Sequence, residues 1–257
     1  MPMPDVSFVI PVYNEPDNIT GTLESIESHA TCSYECLVVY DFEEDTTVPV
    51  VRALQERMPW VRLVLNQRGR GVLNAMQAGM DEAVAPYVIV SMADGSDDHR
   101  VVDAMVALAR AGADVVAASR YMRGGRQIGG PCLKGLMSRV AGVSLFWLGG
   151  VGTHDATNNY TLYSHDLLDE VTIESVGGFE MALELTVKAT MAGREVREVP
   201  ATWRDRSAGE SRFDMRAWLP RYLHWYLACM KWRLGAMLRR LTRTSADRGT
   251  RDTRDEA

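Results

Sequence analysis

The sequence predicts an α/β fold: a mainly parallel sheet with helices on both faces, followed by C-terminal amphipathic helices. Three observations carry this. Short β-branched, apolar runs alternate with stretches of helical periodicity over the first half of the chain. The runs are apolar at successive positions, as strands covered on both faces require. Each run ends in a polar segment, and parallel sheets bind ligands beyond the carboxyl ends of their strands.

The elements follow in order. VSFVIPV (6–12) reads as a strand, and DNITGTLESIESHA (17–30) as a helix with an Asp or Asn cap. CLVVYD (36–41) is a strand, and the helix after it runs through VPVVRALQERM (48–58). VRLVLN (61–66) and GVLNAMQAGMDEAV (71–84) repeat the pair, as do YVIVSM (87–92) and VVDAMVALARAG (101–112). DVVAAS (114–119) is the fifth strand. The glycine-rich, basic SRYMRGGRQIGGP after it is expected to be mobile. LMSRVAGVSLFWLGG (136–150) reads as a helix and DATNNYTLYSH (155–165) as a turn entering a strand. GGFEMALELTVKATMAG (177–193) is a helix stopped by glycine, and EVREVPATW (195–203) a strand. The expected organisation is one folded domain over 1–213, amphipathic helices over 214–243 and a disordered tail over 244–257, where large apolar side chains are almost absent.

The 257 residues carry a net charge of −6, unevenly spread. Residues 212–257 hold 11 Lys+Arg against 5 Asp+Glu, so the body is strongly acidic and the tail basic. An acidic body argues against nucleic acid as a partner and suits a metal site, while the basic tail suits an anionic surface. Cys32 and Cys36 form a lone C-x3-C with no second pair, which reads as free thiols in a reducing compartment rather than a zinc site. The N-terminus has no basic n-region and no long apolar core, so no signal peptide is expected. No stretch reaches the roughly 18 uncharged apolar residues of a spanning helix.

The chemistry gathers at the strand ends. In SMADGSDDH (91–99), Asp94 lies just past the fourth strand. Hard divalent ions take oxygen ligands, and Mg²⁺ often takes one or two carboxylates plus phosphates. Asp97 or Asp98 either adds a ligand or caps the next helix. NQRGRG lacks the spacing of the common phosphate loops and reads as a tight turn. Arg120, Arg123, Arg126, Arg204, Arg206 and Arg212 fall in two polar loops, and arginine suits bidentate phosphate recognition. Glu180 and Glu184, one helical turn apart, are either a catalytic pair or an exposed acidic stripe. No histidine stands in a nucleophile or zinc pattern, and no G-x-S-x-G elbow occurs.

Over 214–241, Arg221, His224, Ala228, Lys231, Gly235 and Arg239 make one narrow helical stripe beside a broad arc of Leu, Trp, Tyr and Met. A wide apolar arc, a basic edge and several Trp and Tyr suit a helix lying in a membrane interface. Packing against the body, or against a second copy, is the alternative.

Taken in order, VSFVIPVYNEPDNI, the aspartate after the second strand, ADGSDD, ASRYMRGG, DATNNYTLY, the 177–203 stretch and DRSAGES resemble the family 2 glycosyltransferases over about residues 5–213. Within that family they are most similar to the dolichyl- and polyprenyl-phosphate mannose synthases. The resemblance implies a GT-A fold, a nucleotide-diphosphate sugar donor carrying GDP or UDP, Mg²⁺ or Mn²⁺, and inversion at the anomeric carbon. By matching motifs, Pro11, Tyr13, Glu15 and Asp41 would line the nucleoside pocket. Asp94 would bind the metal with Ser96 beside it, and Asp97 is a second candidate ligand. Arg120 would meet a donor or acceptor phosphate, and Arg206 and Arg212 would clamp phosphate from a closing loop.

The sequence departs from the family's D-x-D, which reads Met92-Ala93-Asp94 here, and from its paired aspartates after the second strand, which read Tyr40-Asp41. The expected acceptor is a polyprenyl-phosphate lipid, reached by a cytoplasmic enzyme peripheral to the inner face of the membrane, and an oligomer is compatible with this. Two alternatives stand beside it. One is transfer to a soluble hydroxyl, with Asp155, Glu180 or Glu184 as base. The other is a non-catalytic nucleotide-sugar-binding protein.

Overall fold

The computed structural model describes residues 3–205 and 215–252, with backbone alone for 215–217 and 240–252. Strands β1 (Val6–Pro11), β2 (Tyr34–Tyr40), β3 (Val61–Leu65), β4 (Tyr87–Val90) and β5 (Val115–Ser119) stand where the apolar runs predict them. Helices α1 (Ile19–His29), α2 (Thr47–Leu54), α3 (Val72–Glu82) and α4 (Val102–Arg110) alternate with them. Then follow β6 (Arg126–Ile128), α5 (Cys132–Ser144), a single π-turn (Leu145–Gly149), β7 (Thr161–Ser164), α6 (His165–Glu170), α7 (Met181–Met191), β8 (Val196–Pro200), β9 (Thr202–Arg204) and α8 (Met215–Asp252).

The main sheet has seven strands in the order β3-β2-β1-β4-β7-β5-β8, and only β7 runs antiparallel to its neighbours. Strand alternation divides the core. Phe8, Ile10, Val38 and Ile89 pack with Leu23, Ile26, Val51 and Met105 of α1, α2 and α4. Val9, Leu37, Val39 and Val88 pack on the other face with Met76, Leu167, Met181 and Leu185 of α3, α6 and α7. Gly79 lets α3 sit directly on the sheet, since a Cβ there would lie 2.4 Å from Val9 Cγ1. The strand order turns outward from β1, which pairs with β2 on one side and β4 on the other. A ligand crevice therefore opens between the loops that follow β1 and β4.

Three local expectations change. The glycine-rich 119–130 stretch carries β6, which pairs with β9. The strand expected over 195–203 divides at Ala201, whose N–H bonds Ser119 on one side while its carbonyl accepts from Arg126 on the other. The helix α8 continues to Asp252, past residue 244, where composition predicts disorder.

The inner side of α8 packs against the body, as one alternative for its apolar arc expects. Trp225 and Cys229 are buried against Leu145, Val151, Leu183 and Val187. Leu219, Leu223, Leu227, Leu234 and Leu238 stay between 43% and 60% exposed on the other side. Among the described residues no helix is long and apolar enough to cross a membrane.

Candidate active site

The loop after β1 is built by side chains that hold its backbone. Pro11 ends the strand and is buried. Asn14 has φ +55°, a left-handed conformation that asparagine tolerates. Its N–H bonds Asp45 Oδ2 at 3.0 Å and its Oδ1 accepts from Thr46 N at 3.1 Å. The Glu15 N–H bonds Thr47 Oγ1 at 2.9 Å, and its carboxylate accepts from Asn18 Nδ2 at 2.8 Å. Asn18 is the N-cap of α1, yet its side chain serves Glu15 rather than the helix. Tyr13, 41% exposed, meets the edge of Phe42 with ring centroids 5.5 Å apart.

Asp41 ties two loops together. Its Oδ1 accepts from Asn66 Nδ2 at 2.7 Å and its Oδ2 from Gly71 N at 2.9 Å. The NQRGRG turn is thus the brace of a candidate nucleoside-binding carboxylate. Arg70 in that turn stacks over Phe42, 4.8 Å from the ring centre. Tyr13, Phe42, Arg70 and Asp41 form a wall with two aromatic rings and both signs of charge. Phe42, Asp45, Asn66 and Arg70 were not singled out by sequence reasoning; the polar run at each strand end was the available signal.

The loop after β4 is held from several sides. Thr22 Oγ1 bonds the Ala93 carbonyl at 2.9 Å, and Arg204 N bonds the Ser96 carbonyl at 3.2 Å. Ser96 is buried, and its N–H bonds Asp94 Oδ1 at 3.1 Å. Neither Asp97 nor Asp98 caps a helix with its side chain, which corrects that expectation. Asp98 is consumed by Arg100, at 2.7 and 2.8 Å, and by Thr202 N at 3.0 Å. Asp97 Oδ2 accepts from Met92 N at 2.8 Å and Ser91 Oγ at 3.1 Å. Its Oδ1 makes no hydrogen bond among the described residues. Burial, and then the charge of Asp94, push the Asp97 carboxyl up to about 7.

Among the described residues no three His, Cys, Asp or Glu side chains gather as a protein-only metal cage. Asp94, and Asp97 with one open oxygen, nevertheless offer the sparse oxygen set that Mg²⁺ or Mn²⁺ completes with phosphates. Removing the neighbouring charge repulsion is what a bound cation supplies. The residues fit the ion.

Arg120 is held by a buried ion pair. Its Nε bonds Asp155 Oδ2 at 2.7 Å and its Nη2 bonds Asp155 Oδ1 at 2.8 Å. Nη2 also reaches Ser138 Oγ at 3.2 Å and Thr157 Oγ1 at 3.3 Å. Only Nη1 makes no hydrogen bond among the described residues. Burial alone would lower the Arg120 pKa, but the Asp155 carboxylate reverses it and the net shift is upward. Arg120 therefore gives a ligand at most one nitrogen while fixing α5 to the DATNN turn through Ser138 and Thr157.

Of the candidate bases, Asp155 and Glu184 are committed through both oxygens, whereas Glu180 Oε2 is buried without a hydrogen-bond partner among the described residues. Asp155 has no exposure and Glu184 none. Glu184 accepts from Glu174 N and Ser175 N at 2.6 and 2.8 Å and pairs with Lys188 at 2.7 Å. Glu180, 1% exposed, accepts through Oε1 from Val176 N and Gly177 N. The two glutamates are buried and so are not an exposed stripe; they brace the loop 174–180. Tyr222 of α8 donates to the Phe179 carbonyl at 2.6 Å and lies within electrostatic reach of Glu180, Arg120 and Asp155. Arg206 and Arg212 lie outside the described residues.

Comparison with known proteins places this geometry. The model of the family described as glycosyl transferase family 2 matches residues 7–171. The chain is 31% identical over 212 residues to the polyprenol monophosphomannose synthase of Mycolicibacterium smegmatis, covering 80% of each chain. It is 26% identical over 232 residues to the dolichol-phosphate mannosyltransferase of Pyrococcus furiosus, covering 88% of this chain and 64% of that longer protein.

Among solved structures, it superposes on glucosyl-3-phosphoglycerate synthase from Mycobacterium tuberculosis, in complex with Mn²⁺, uridine diphosphate and glucosyl-3-phosphoglycerate. There the TM-score is 0.64 and the identity 14%, with 89% of this chain and 80% of that one covered. It also superposes on the Pyrobaculum calidifontis mannosyltransferase in complex with GDP-mannose and Mn²⁺, with TM-score 0.63, 18% identity, and 88% and 64% of the chains covered. The sheet and helices thus have the expected GT-A architecture.

Proposed function

Because the chain belongs to the family 2 glycosyltransferases, we propose that it moves a sugar from a GDP- or UDP-sugar to a polyprenyl-phosphate lipid, with inversion, at a membrane surface. The observation that carries the lipid acceptor is the exposed leucine row on α8, on the helix whose inner face brings Tyr222 within reach of Arg120. Exposed Leu133, Leu136, Val140 and Trp147 on α5 and its π-turn extend the apolar surface beside it. Apolar rows flanked by basic residues favour an anionic lipid interface.

The roles divide as follows. Tyr13, Glu15 and Asp41, with Pro11 behind them and Phe42 and Arg70 beside them, bind the nucleoside. Asp94 and Asp97, with Ser96 shaping the loop, hold Mg²⁺ or Mn²⁺, which when bound neutralises diphosphate charge. Nη1 of Arg120 orients the acceptor phosphate, and Arg206 and Arg212 supply further phosphate contacts.

An oxygen of the acceptor phosphate attacks the anomeric carbon from the face opposite the nucleotide. The bond between that carbon and the donor's diphosphate breaks, and the nucleoside diphosphate leaves with the electron pair. The acceptor oxygen is already anionic, so no proton must be removed. The closure of Asp155 on Arg120, and of Glu184 on Lys188 and two backbone N–H groups, supports this route over a hydroxyl acceptor that would use either as base. The test is transfer of radiolabel from a panel of GDP- and UDP-sugars into solvent-extractable lipid with Mn²⁺ present. Label that enters lipid supports the proposal; label that never does, across the panel, refutes it.

A further inference from the structure

A hydrogen-bond chain, buried at its middle, runs from α1 to Asp97. Ser25 Oγ of α1 lies 2.9 Å from His99 Nδ1, and His99 Nε2 lies 3.1 Å from Ser91 Oγ. Ser91 Oγ in turn lies 3.1 Å from Asp97 Oδ2. The Ser91 hydroxyl donates to Asp97 Oδ2. The Ser91 oxygen then accepts from His99 Nε2–H, and Nδ1, left with its lone pair, accepts from Ser25 O–H. Every donor in the chain points toward Asp97, so each bond polarises the next.

The imidazole is 2% exposed, with Phe8 and Tyr160 meeting it edge to face at 6.4 and 5.7 Å. This packing fixes the ring plane. Two donors, Ser91 Oγ and Met92 N, both hold Oδ2 and leave Oδ1 open. The backbone of Met92, the residue standing where a D-x-D would place its first carboxylate, is thus one of the groups that aim Asp97.

We propose that the Ser25–His99–Ser91 chain is a positioning device that presents Asp97 Oδ1 as the second carboxylate of the cation site, in place of the one missing at Met92. The inference rests on the divalent-cation reading above. Outer groups that orient a ligand typically change metal affinity about 10- to 100-fold when removed. A core histidine with no such role would change stability alone.

The test is titration of MnCl₂, followed by electron paramagnetic resonance, with saturating GDP and separately UDP. It uses the full-length protein and its His99→Ala, His99→Gln and Ser91→Ala variants, with melting temperature measured on each. Glutamine places an amide N–H near the position of Nε2–H. The expected result is a Kd for Mn²⁺ about 10-fold or more weaker in His99→Ala and Ser91→Ala, and restored to within about 3-fold of wild type in His99→Gln. If His99→Ala does not fold, Ser91→Ala and His99→Gln decide. Wild-type Mn²⁺ affinity in a folded Ser91→Ala or His99→Ala variant overturns the inference while leaving the cation reading intact. A wild-type protein that binds no Mn²⁺ with either nucleotide overturns both.

Discussion

Arg120 and Asp155 form a two-pronged ion pair, Nε to Oδ2 at 2.7 Å and Nη2 to Oδ1 at 2.8 Å, with the carboxylate wholly buried. The pair joins the end of β5 to the DATNN turn. Removing one partner strands a buried charge, which costs about 3–5 kcal/mol. Asp155→Ala is therefore expected to lower the urea midpoint sharply. Arg120→Lys is expected to be nearly as damaging, because one ammonium cannot reproduce the fork. Equilibrium unfolding of both variants checks this.

Asp97 and His99 give opposed pH dependences. Burial first, then Asp94, raise Asp97 from 3.8 to about 7, so between about pH 4 and 7 the native state holds a proton that the unfolded chain has lost. That contribution makes stability fall as pH rises. Burial lowers His99 from 6.5 to about 4, so between about pH 4 and 6.5 the unfolded chain holds the extra proton. That contribution makes stability rise with pH. The two nearly cancel in the wild type without added metal. His99→Gln is expected to lose stability from pH 4.5 to 6.5 at up to about 1.4 kcal/mol per unit, and Asp97→Asn to gain it. Unfolding midpoints across that range check both signs.

Met92 is half-buried at the mouth of the acid loop. Met92→Asp is expected to tighten Mn²⁺ binding about 10-fold by restoring a carboxylate, and Asp94→Asn to weaken it by at least as much. Calorimetric Mn²⁺ titration with nucleotide present distinguishes this from a Met92 side chain that only packs.

The outer face of α8 is expected to carry membrane affinity without carrying the fold. Leu223 and Leu227 are 48% and 43% exposed. Replacing both with Gln is expected to reduce co-sedimentation with anionic vesicles about 10-fold or more, since each exposed leucine contributes roughly 1–2 kcal/mol on burial in lipid. The melting temperature should move by no more than about 2 °C.

Much of this was legible in the residues. Continuous apolar runs at 6–12, 36–41 and 87–92 marked parallel strands, and their polar ends marked the crevice. Short elements such as β6 and α6 were not legible, because three to six residues carry too little periodicity. Side-chain commitments were also hidden. Nothing in the spacing said that Asp98 is spent on Arg100 and Thr202 while Asp97 keeps an oxygen open, or that Asp155 closes on Arg120 from 35 residues away. Those are decided by which loops the sheet order brings together. His99, scattered in sequence terms, became informative only through Ser25 and Ser91, from a helix and a strand end that no local motif connects.

The most direct test compares polyprenyl phosphate with the dephosphorylated polyprenol as acceptors in the same vesicles, with GDP-mannose or UDP-glucose and Mn²⁺, reading the lipid product by mass spectrometry. The account predicts a hexosyl phosphoryl lipid from the phosphate and none from the alcohol. Product from the alcohol, or none from either lipid while a soluble hydroxyl acceptor is glycosylated, would contradict it.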